Sequence, residues 1–276
     1  MLFSDVEILS ANELAELVEF GEATACADLA RYAPAALEMS VAPIGDALAL
    51  VSPRVPIVLF NRVIGLGLRQ PATEAQVEEI SRVYREAGVR TFAVQISPAA
   101  QPAALPAWLA TRGLLRGGEW AKVYRPAVVE VTVPTDLRVE VIGPELATEF
   151  AQVAATAFGL PPLILPWLAA SVGQPGWRHY LAFDGDTAVA TAALFTQNGV
   201  GWLGIGSTLP AYRRRGGQGA LMARRIHDAA ALGCRWLVTE TGADSPARPN
   251  PSYHNMLRTG FTLAYLRPNY VSQASA

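Results

Sequence analysis

Residues 210–220 read PAYRRRGGQGA, between an apolar strand-like run that ends at Thr208 and an amphipathic helix pattern with Met222, Ile226 and Ala230 on one face. The position carries the information. A helix's first turn leaves N–H groups free at the positive end of its dipole, and glycines let an anion approach the backbone closely. Arg213, Arg214, Arg215, Arg224 and Arg225 gather five cations around this point. A phosphorylated ligand fits that pattern, although glycines that only tighten the turn and arginines that only solvate it would read the same way. A dinucleotide fingerprint fails, because Gly204-Ile-Gly206 is followed by Leu209 where the third glycine belongs. A Walker A loop fails for want of Gly-Lys-Ser/Thr. What remains is Arg214-x-x-Gly217-x-Gly219.

The chain around this loop has 276 residues, 51% hydrophobic and 17% charged, so it can bury a large core. With 22 Lys+Arg against 24 Asp+Glu, a net charge of -2, no global basic field exists to hold nucleic acid or an anionic membrane, and any anion site is local. Cys26 and Cys234 lie far apart, without the spacing of a disulfide framework or a zinc site, which suits a reducing compartment. The first residues, MLFSDVEILS, carry an acid where a signal peptide needs basic residues. The most apolar stretch, Leu160 to Val172, holds Pro161, Pro162 and Pro166 and cannot span a bilayer. The expectation is a soluble, cytoplasmic protein.

A boundary is expected near residue 133, where EVTVPTD (Glu130 to Asp136) breaks at Pro134. Beyond it the pattern predicts a strand over 137–142, helices over 145–157 and 163–171, and strands over 178–183, 187–196 and 200–208. Asp184-Gly185-Asp186 and Asn198-Gly199 supply hairpin turns. A helix over 217–232, a strand over 235–240, a helix over 252–259 and a strand from Phe261 complete the half. The first half repeats the end of this order: a strand over Val58 to Leu68, a helix over Glu74 to Ala87 opened by the capping box Thr73-x-x-Gln76, strand Thr91 to Ser97, a helix around Trp108, and a strand to Tyr124. Gly88 to Gly113 is 25 residues and Gly233 to Gly260 is 27, so the helix-end glycines nearly superimpose. Two diverged copies, 1–133 and 134–276, explain this; chance similarity of an unrelated α/β segment is the competing account. The first copy has RQPATEAQ where the second has its arginine- and glycine-rich loop.

With these features together, the sequence resembles the GNAT superfamily of N-acetyltransferases. Their coenzyme A signature, Gln/Arg-x-x-Gly-x-Gly/Ala between a strand and a helix, is matched by Arg214, Gly217 and Gly219, and NPSYHNMLRTGF resembles the later Asn-rich helix ending in Gly-Phe. The resemblance implies two GNAT-like α/β (α+β) domains, each a mixed, mainly antiparallel sheet flanked by helices, the first degenerate. It implies acetyl-CoA as acyl donor, no metal, and a small amine or peptide as acceptor; a homodimer is compatible with it. The pantetheine arm would lie between splayed strands 200–208 and 235–240. Cofactor contacts are implied for Ser207, Thr208, Arg214, Arg215, Gly216, Gly217, Gln218, Gly219, Ala220, Asn250 and Asn255. A rival reading is a catalytically silent acyl-CoA-binding or regulatory module.

Candidate catalytic groups follow the same resemblance. Glu240 ends a strand beside the implied thioester and could take the amine proton, or could cap the neighbouring turn. Many GNAT enzymes carry a tyrosine four residues before the terminal Gly-Phe, as proton donor to the departing thiolate. Met256 stands there, so the expectation passes to Tyr253, one turn earlier, against local packing as its alternative. His179 could act as a base or serve structure. His227 reads as a surface residue. Trp167, Trp177 and Trp202 could line an apolar acceptor pocket or simply pack.

Overall fold

The computed structural model describes residues 8–128 and 131–272. The reading of MLFSDVEILS and the place of Glu130 fall in part outside them. A helix, α1 (Ala11–Ala30), comes first, opened by a reciprocal capping box between Ser10 and Glu13. Its sequence has weak helical periodicity because the helix is buried on more than one side: Val18, Ala25 and Leu29 sit in the core, and so do the carboxylates of Glu19 and Glu22. Sequence patterning therefore passes over it.

The hairpin β1 (Ser40–Ile44) and β2 (Ala47–Val51) follows, then β3 (Arg62–Ile64), α2 (Glu74–Glu86), β4 (Ala93–Gln95), α3 (Leu105–Thr111) and the long β5 (Leu114–Pro126). The strand expected over Val58 to Leu68 contracts to β3, since 58–60 form a 3₁₀ turn and Gly65 and Gly67 take positive φ. At Gly67 a side chain would also overlap the backbone of Gln101. The second half runs in the predicted order: β6 (Arg138–Ile142), α4 (Ala147–Phe158), α5 (Leu165–Ala170), β7 (Trp177–Asp184), β8 (Thr187–Gln197), β9 (Val200–Thr208), α6 (Gly217–Ala231), β10 (Trp236–Gly242), α7 (Pro251–Arg258) and β11 (Thr262–Ser272). Asn198 and Gly199, both at positive φ, make the two-residue turn between β8 and β9.

The eleven strands of the described residues form one mixed, mainly antiparallel sheet in the order β1-β2-β3-β4-β11-β5-β10-β9-β8-β7-β6. Two pairs are parallel, β3 with β4 and β9 with β10, and they occupy matching positions in the two halves. The last strand of each half crosses over: β11 pairs with β4, β5 pairs with β10, and β5 and β11 pair antiparallel at the centre. The expected division near residue 133 lies between β5 and β6, but β5 and β11 tie the segments on either side into one sheet. No helix of the described residues is long and apolar enough to cross a membrane.

A knot of buried charge sits at the crossing. The Glu22 carboxylate of α1 accepts Arg62 Nη2 at 2.9 Å, Lys122 Nζ at 2.6 Å and Arg267 Nη1 at 2.7 Å. Glu19 accepts Arg267 Nη1 at 2.6 Å and the Tyr265 hydroxyl at 2.8 Å. Arg62 and Lys122 meet Glu22 within the first half, whereas Arg267 and Tyr265 of β11 reach Glu19 and Glu22 from the second, so the knot is complete only when both halves are in place.

Candidate active site

The parallel pair β9–β10 is short. It runs from Val200/Trp236 to Trp202/Val238, after which β9 continues to Thr208 and β10 to Gly242 without pairing. A cavity of about 510 Å³ opens at this split, bounded by Gly204, Ile205 and Gly206 on one strand and Glu240, Thr241 and Gly242 on the other. On the far side of β9 the register against β8 shifts between Thr191 and Ala193. Ile205, in this bulge, has φ +51. A β-branched residue there is strained, and such strain concentrates at functional sites. A side chain at Gly204 would overlap the Trp202 ring, which lies across the backbone there.

The arginine- and glycine-rich loop adjoins the split. Gly216, at φ +78, is the N-cap of α6, without a side-chain cap. Among the described residues, the N–H groups of Arg214 to Gly219 meet no protein acceptor; the first helical bond is Ala220 N–H to Gly216 O at 3.0 Å. Six free donors at a dipole's positive end suit an anion of diphosphate type. Gln218 Nε2 donates to Ser207 O at 2.6 Å and to Thr208 Oγ1 at 3.0 Å, locking the loop to the end of β9. The Ser207 hydroxyl is buried against Thr191 Oγ1 at 2.7 Å.

Two expectations about this loop need correction. The five arginines do not form a common cationic patch. Arg215 is held by Asp136 and Asp184, Arg224 by Asp228, and Arg225 is buried under the sheet, leaving Arg213 and Arg214 outside the ion pairs. The glycines are also needed for packing: a Cβ at Gly216 would overlap the Pro134 carbonyl, one at Gly217 would sit 2.9 Å from Leu137 Cδ1, and one at Gly219 would sit 2.7 Å from Val133 Cγ1. The segment joining the halves covers those α-carbons.

Glu240 lies in the cavity wall with its side chain 6% exposed. It accepts Trp202 Nε1 at 3.1 and 3.2 Å and Lys122 Nζ at 3.1 Å. Burial, reinforced by the nearby Glu22 charge, raises its pKa above the ordinary carboxylate value despite Lys122, Arg62 and Arg267. It makes no bond to the following turn, so the capping alternative does not describe it. Asn250 does that work instead, accepting the N–H groups of Ser252 and Tyr253 and donating to Gly242 O at 2.6 Å. Asn255 pairs with Arg258. Neither asparagine lines the cavity.

The phase of α7 also moves the expected acid. Ser252 and Met256 face the cavity, whereas Tyr253 packs partly buried against the cluster containing Met222 and Phe261, outside the cavity wall. His179 is buried, shares its Nε2 with Ser171 Oγ at 3.0 Å, and has a pKa pushed down to about 3 by burial, so it is a neutral structural residue. His227 is exposed, as expected. Trp167 and Trp202 line the cavity; Trp177 lies outside its lining and donates to Asp28 Oδ1 at 2.8 Å. The first half contributes to the wall through Cys26, Phe60, Arg62 and Trp120, residues that no motif or spacing singles out. Their approach depends on the crossing of β5 and β11, for which sequence spacing has no signal.

Solved structures share this architecture. A GCN5-related N-acetyltransferase from Kribbella flavida superposes with TM-score 0.66 at 18% identity, over 94% of this chain and 96% of that one. A tandem GNAT protein from the clavulanic acid biosynthesis pathway superposes at TM-score 0.59 and 15% identity, over 97% and 98% of the two chains. The chain has the tandem GNAT fold. A GCN5-related N-acetyltransferase from Sphaerobacter thermophilus gives TM-score 0.61 at 15% identity, over 83% of this chain and 81% of that one. No family model and no curated protein matches the sequence. On the GNAT fold, the split of β9 from β10 and the head of α6 are the features that set the second half apart from the first.

Proposed function

We propose that this GNAT-fold chain is an acetyl-CoA-dependent N-acetyltransferase acting on a primary amine of a small molecule or peptide. In this reading residues 134–276 carry the donor site, and residues 1–133 are a degenerate copy that completes the acceptor wall. One observation carries it: β9 and β10 part beside six unpartnered amides, with a cavity at the split. An extended arm can add to the freed strand edges by backbone hydrogen bonds, while the amides of Arg214 to Gly219 take the diphosphate. The corresponding place in the first half offers fewer free donors. At the head of α2 the capping box takes the N–H groups of Thr73 and Gln76 and Gln101 O takes that of Ala72 at 2.7 Å, so the run of free amides seen before α6 is not repeated.

Bound acetyl-CoA would supply an activated acyl group. The chain's own residues would orient the amine and move its proton. Glu240 is the base, because it lies in the cavity wall at the split and its raised pKa improves its proton affinity. The thiolate leaves without help from Tyr253, which a thiol pKa near ~8.5 permits.

The test is release of free CoA thiol, corrected for hydrolysis, against a panel of amines, amino acids and peptides, with calorimetry of acetyl-CoA binding beside it. One site per chain and amine-dependent release are expected. Binding without transfer to any amine would establish the silent acyl-CoA-binding module instead.

A further inference from the structure

We propose that Arg225 is a catalytic residue of this site, donating from Nη2 to the carbonyl oxygen of the acyl thioester and stabilising the negative charge that forms there. The proposal rests on the acyl-transfer reading above and adds a residue to it. Arg225 lies two turns into α6 and is 2% exposed. Its Nε donates to Leu221 O at 3.2 Å, and its Nη1 to Ala193 O at 3.2 Å and Gly204 O at 3.3 Å. Nη2 has no protein acceptor, yet it is not among the buried polar atoms left without a partner; it is open to the cavity that Arg225 helps line.

The charge is unusual as well as the hydrogen bonding. Arg62 and Arg267, equally buried, both sit on the carboxylate of Glu22, whereas no carboxylate among the described residues lies within 4.0 Å of Arg225. Burial alone lowers its pKa to about 10, which leaves it protonated at neutral pH. A buried cation without a carboxylate partner is costly unless an anion arrives. Its place says which anion. A Cβ on Gly206 would come within 3.7 Å of Nη2, so the guanidinium lies against the backbone of the bulged stretch at Gly206, where a side chain larger than hydrogen would approach it. That stretch bounds the split opposite Glu240.

A fixed charge preorganised where negative charge develops is a strong catalytic device. As the amine lone pair forms the N–C bond, the carbonyl π pair moves to oxygen beside Arg225. As the C–S bond breaks, that pair returns, sulfur leaves as thiolate, and the amine proton passes to Glu240. Two other uses of the cation are open to the same experiment: holding a carboxylate at the far end of a longer acyl group, and merely bolting the carbonyls of the bulge.

The experiment compares acetyl-CoA, its thioether analogue S-ethyl-CoA and succinyl-CoA by calorimetry, and follows the carbonyl stretch of acetyl-CoA labelled with carbon-13 at the carbonyl. In the unmodified protein, acetyl-CoA should bind about tenfold or more tighter than S-ethyl-CoA. Its carbonyl stretch should fall on binding. Arg225→Met should erase both differences and lower kcat by about 10²- to 10³-fold, with Arg225→Lys recovering part of each. Equal affinity for thioester and thioether with an unshifted stretch in the unmodified protein overturns the proposal, whatever the variants do. Equal weakening of both ligands in Arg225→Met makes Arg225 a structural bolt and also overturns it. Succinyl-CoA binding at least tenfold tighter than acetyl-CoA, in a manner lost with Arg225→Met, overturns it in favour of a carboxylate site. Binding of no CoA compound at all would overturn the acyl-transfer reading, and this proposal with it.

Discussion

At Glu240, two opposing effects meet on one carboxyl group. Burial and Glu22 disfavour its ionised form, while Lys122 at 3.1 Å favours it; the balance lies above the ordinary glutamate value of 4.5. A base must be unprotonated to work. The acid limb of kcat/KM for the amine should therefore have its midpoint above 4.5, and Lys122→Met, by removing the nearest cation, should move it to higher pH. A pH profile of both proteins checks this; a limb that stays in place when Lys122 is changed removes Glu240 from the role. Glu240→Gln keeps an acceptor for Lys122 and should lower kcat about 10²-fold or more, with little change in acetyl-CoA affinity. Tyr253→Phe should leave kcat within about twofold, because that ring stands outside the cavity wall. The position of Glu240 near the end of its strand was legible. Its neighbours Glu22, Arg62 and Lys122 were not, because an isolated charge in a sequence reads as a solvated one and only the fold buries it.

Among the elements, the regular ones were the legible ones. The capping box at Thr73 and Gln76, the Asn198-Gly199 turn and the strong amphipathicity of α2 and α7 all act locally, so sequence alone places them. Helix α1 has the same kind of capping box but carries Glu19 and Glu22 on a buried face, and that mixed pattern hides it. The free amides at the head of α6 were legible from the glycine-rich strand-to-helix turn, but the crowding of its glycines by Val133, Pro134 and Leu137 was not. This changes what a substitution reports. Gly219→Glu should abolish acetyl-CoA binding and also lower the thermal midpoint, since its Cβ would meet Val133 at 2.7 Å. A control at a helix-end glycine of the first half, Gly113→Glu, meets nothing within 4 Å, and so should carry only positive-φ strain, about 1–3 kcal/mol, with acetyl-CoA affinity unchanged. Calorimetry and thermal melts of the two variants separate the effects; a Gly219→Glu protein with undiminished affinity would dismiss the loop as the donor site.

Across the whole molecule, the repeat found in the sequence is real in the sheet but does not make two separable bodies. Spacing between helix-end glycines showed the copies; it could not show that each copy's last strand pairs inside the other. The contacts that Arg267 and Tyr265 make in the central knot follow from that exchange. Glu22 takes three cations and its pKa is strongly depressed. A carboxyl group whose folded pKa lies below its unfolded one gives its full stabilisation above the unfolded value and loses it as pH falls towards the folded one. Acid should thus loosen the joint between the halves below about pH 4.5, the ordinary glutamate value, while Glu22→Gln should cost about 3–5 kcal/mol at neutral pH by leaving buried cations short of an anion. Denaturant titrations of the parent and the variant measure the difference.

The exchange also predicts how the chain behaves when it is cut. Fragment 1–133 would keep β5 but lose β11, which fills the place between β4 and β5 from Leu114/Ser272 to Tyr124/Thr262. Fragment 134–276 would keep β11 but lose β5, the strand that pairs with β10 along Trp236 to Gly242. Each fragment would also expose one side of the charge knot, with Glu19, Glu22, Arg62 and Lys122 in the first and Glu240 and Arg267 in the second. A sheet missing an inner strand presents unpaired edges and an uncovered apolar face, and cannot close a core. Neither fragment should therefore fold alone, as circular dichroism and hydrogen exchange would show. Expressed together they should assemble one to one, because every missing strand of one is present in the other. The intact chain should unfold in a single transition, with tryptophan fluorescence and circular dichroism coinciding. A folded 1–133 fragment, or two separated transitions in the intact chain, would mean that β5 and β11 are accessories to two self-sufficient halves.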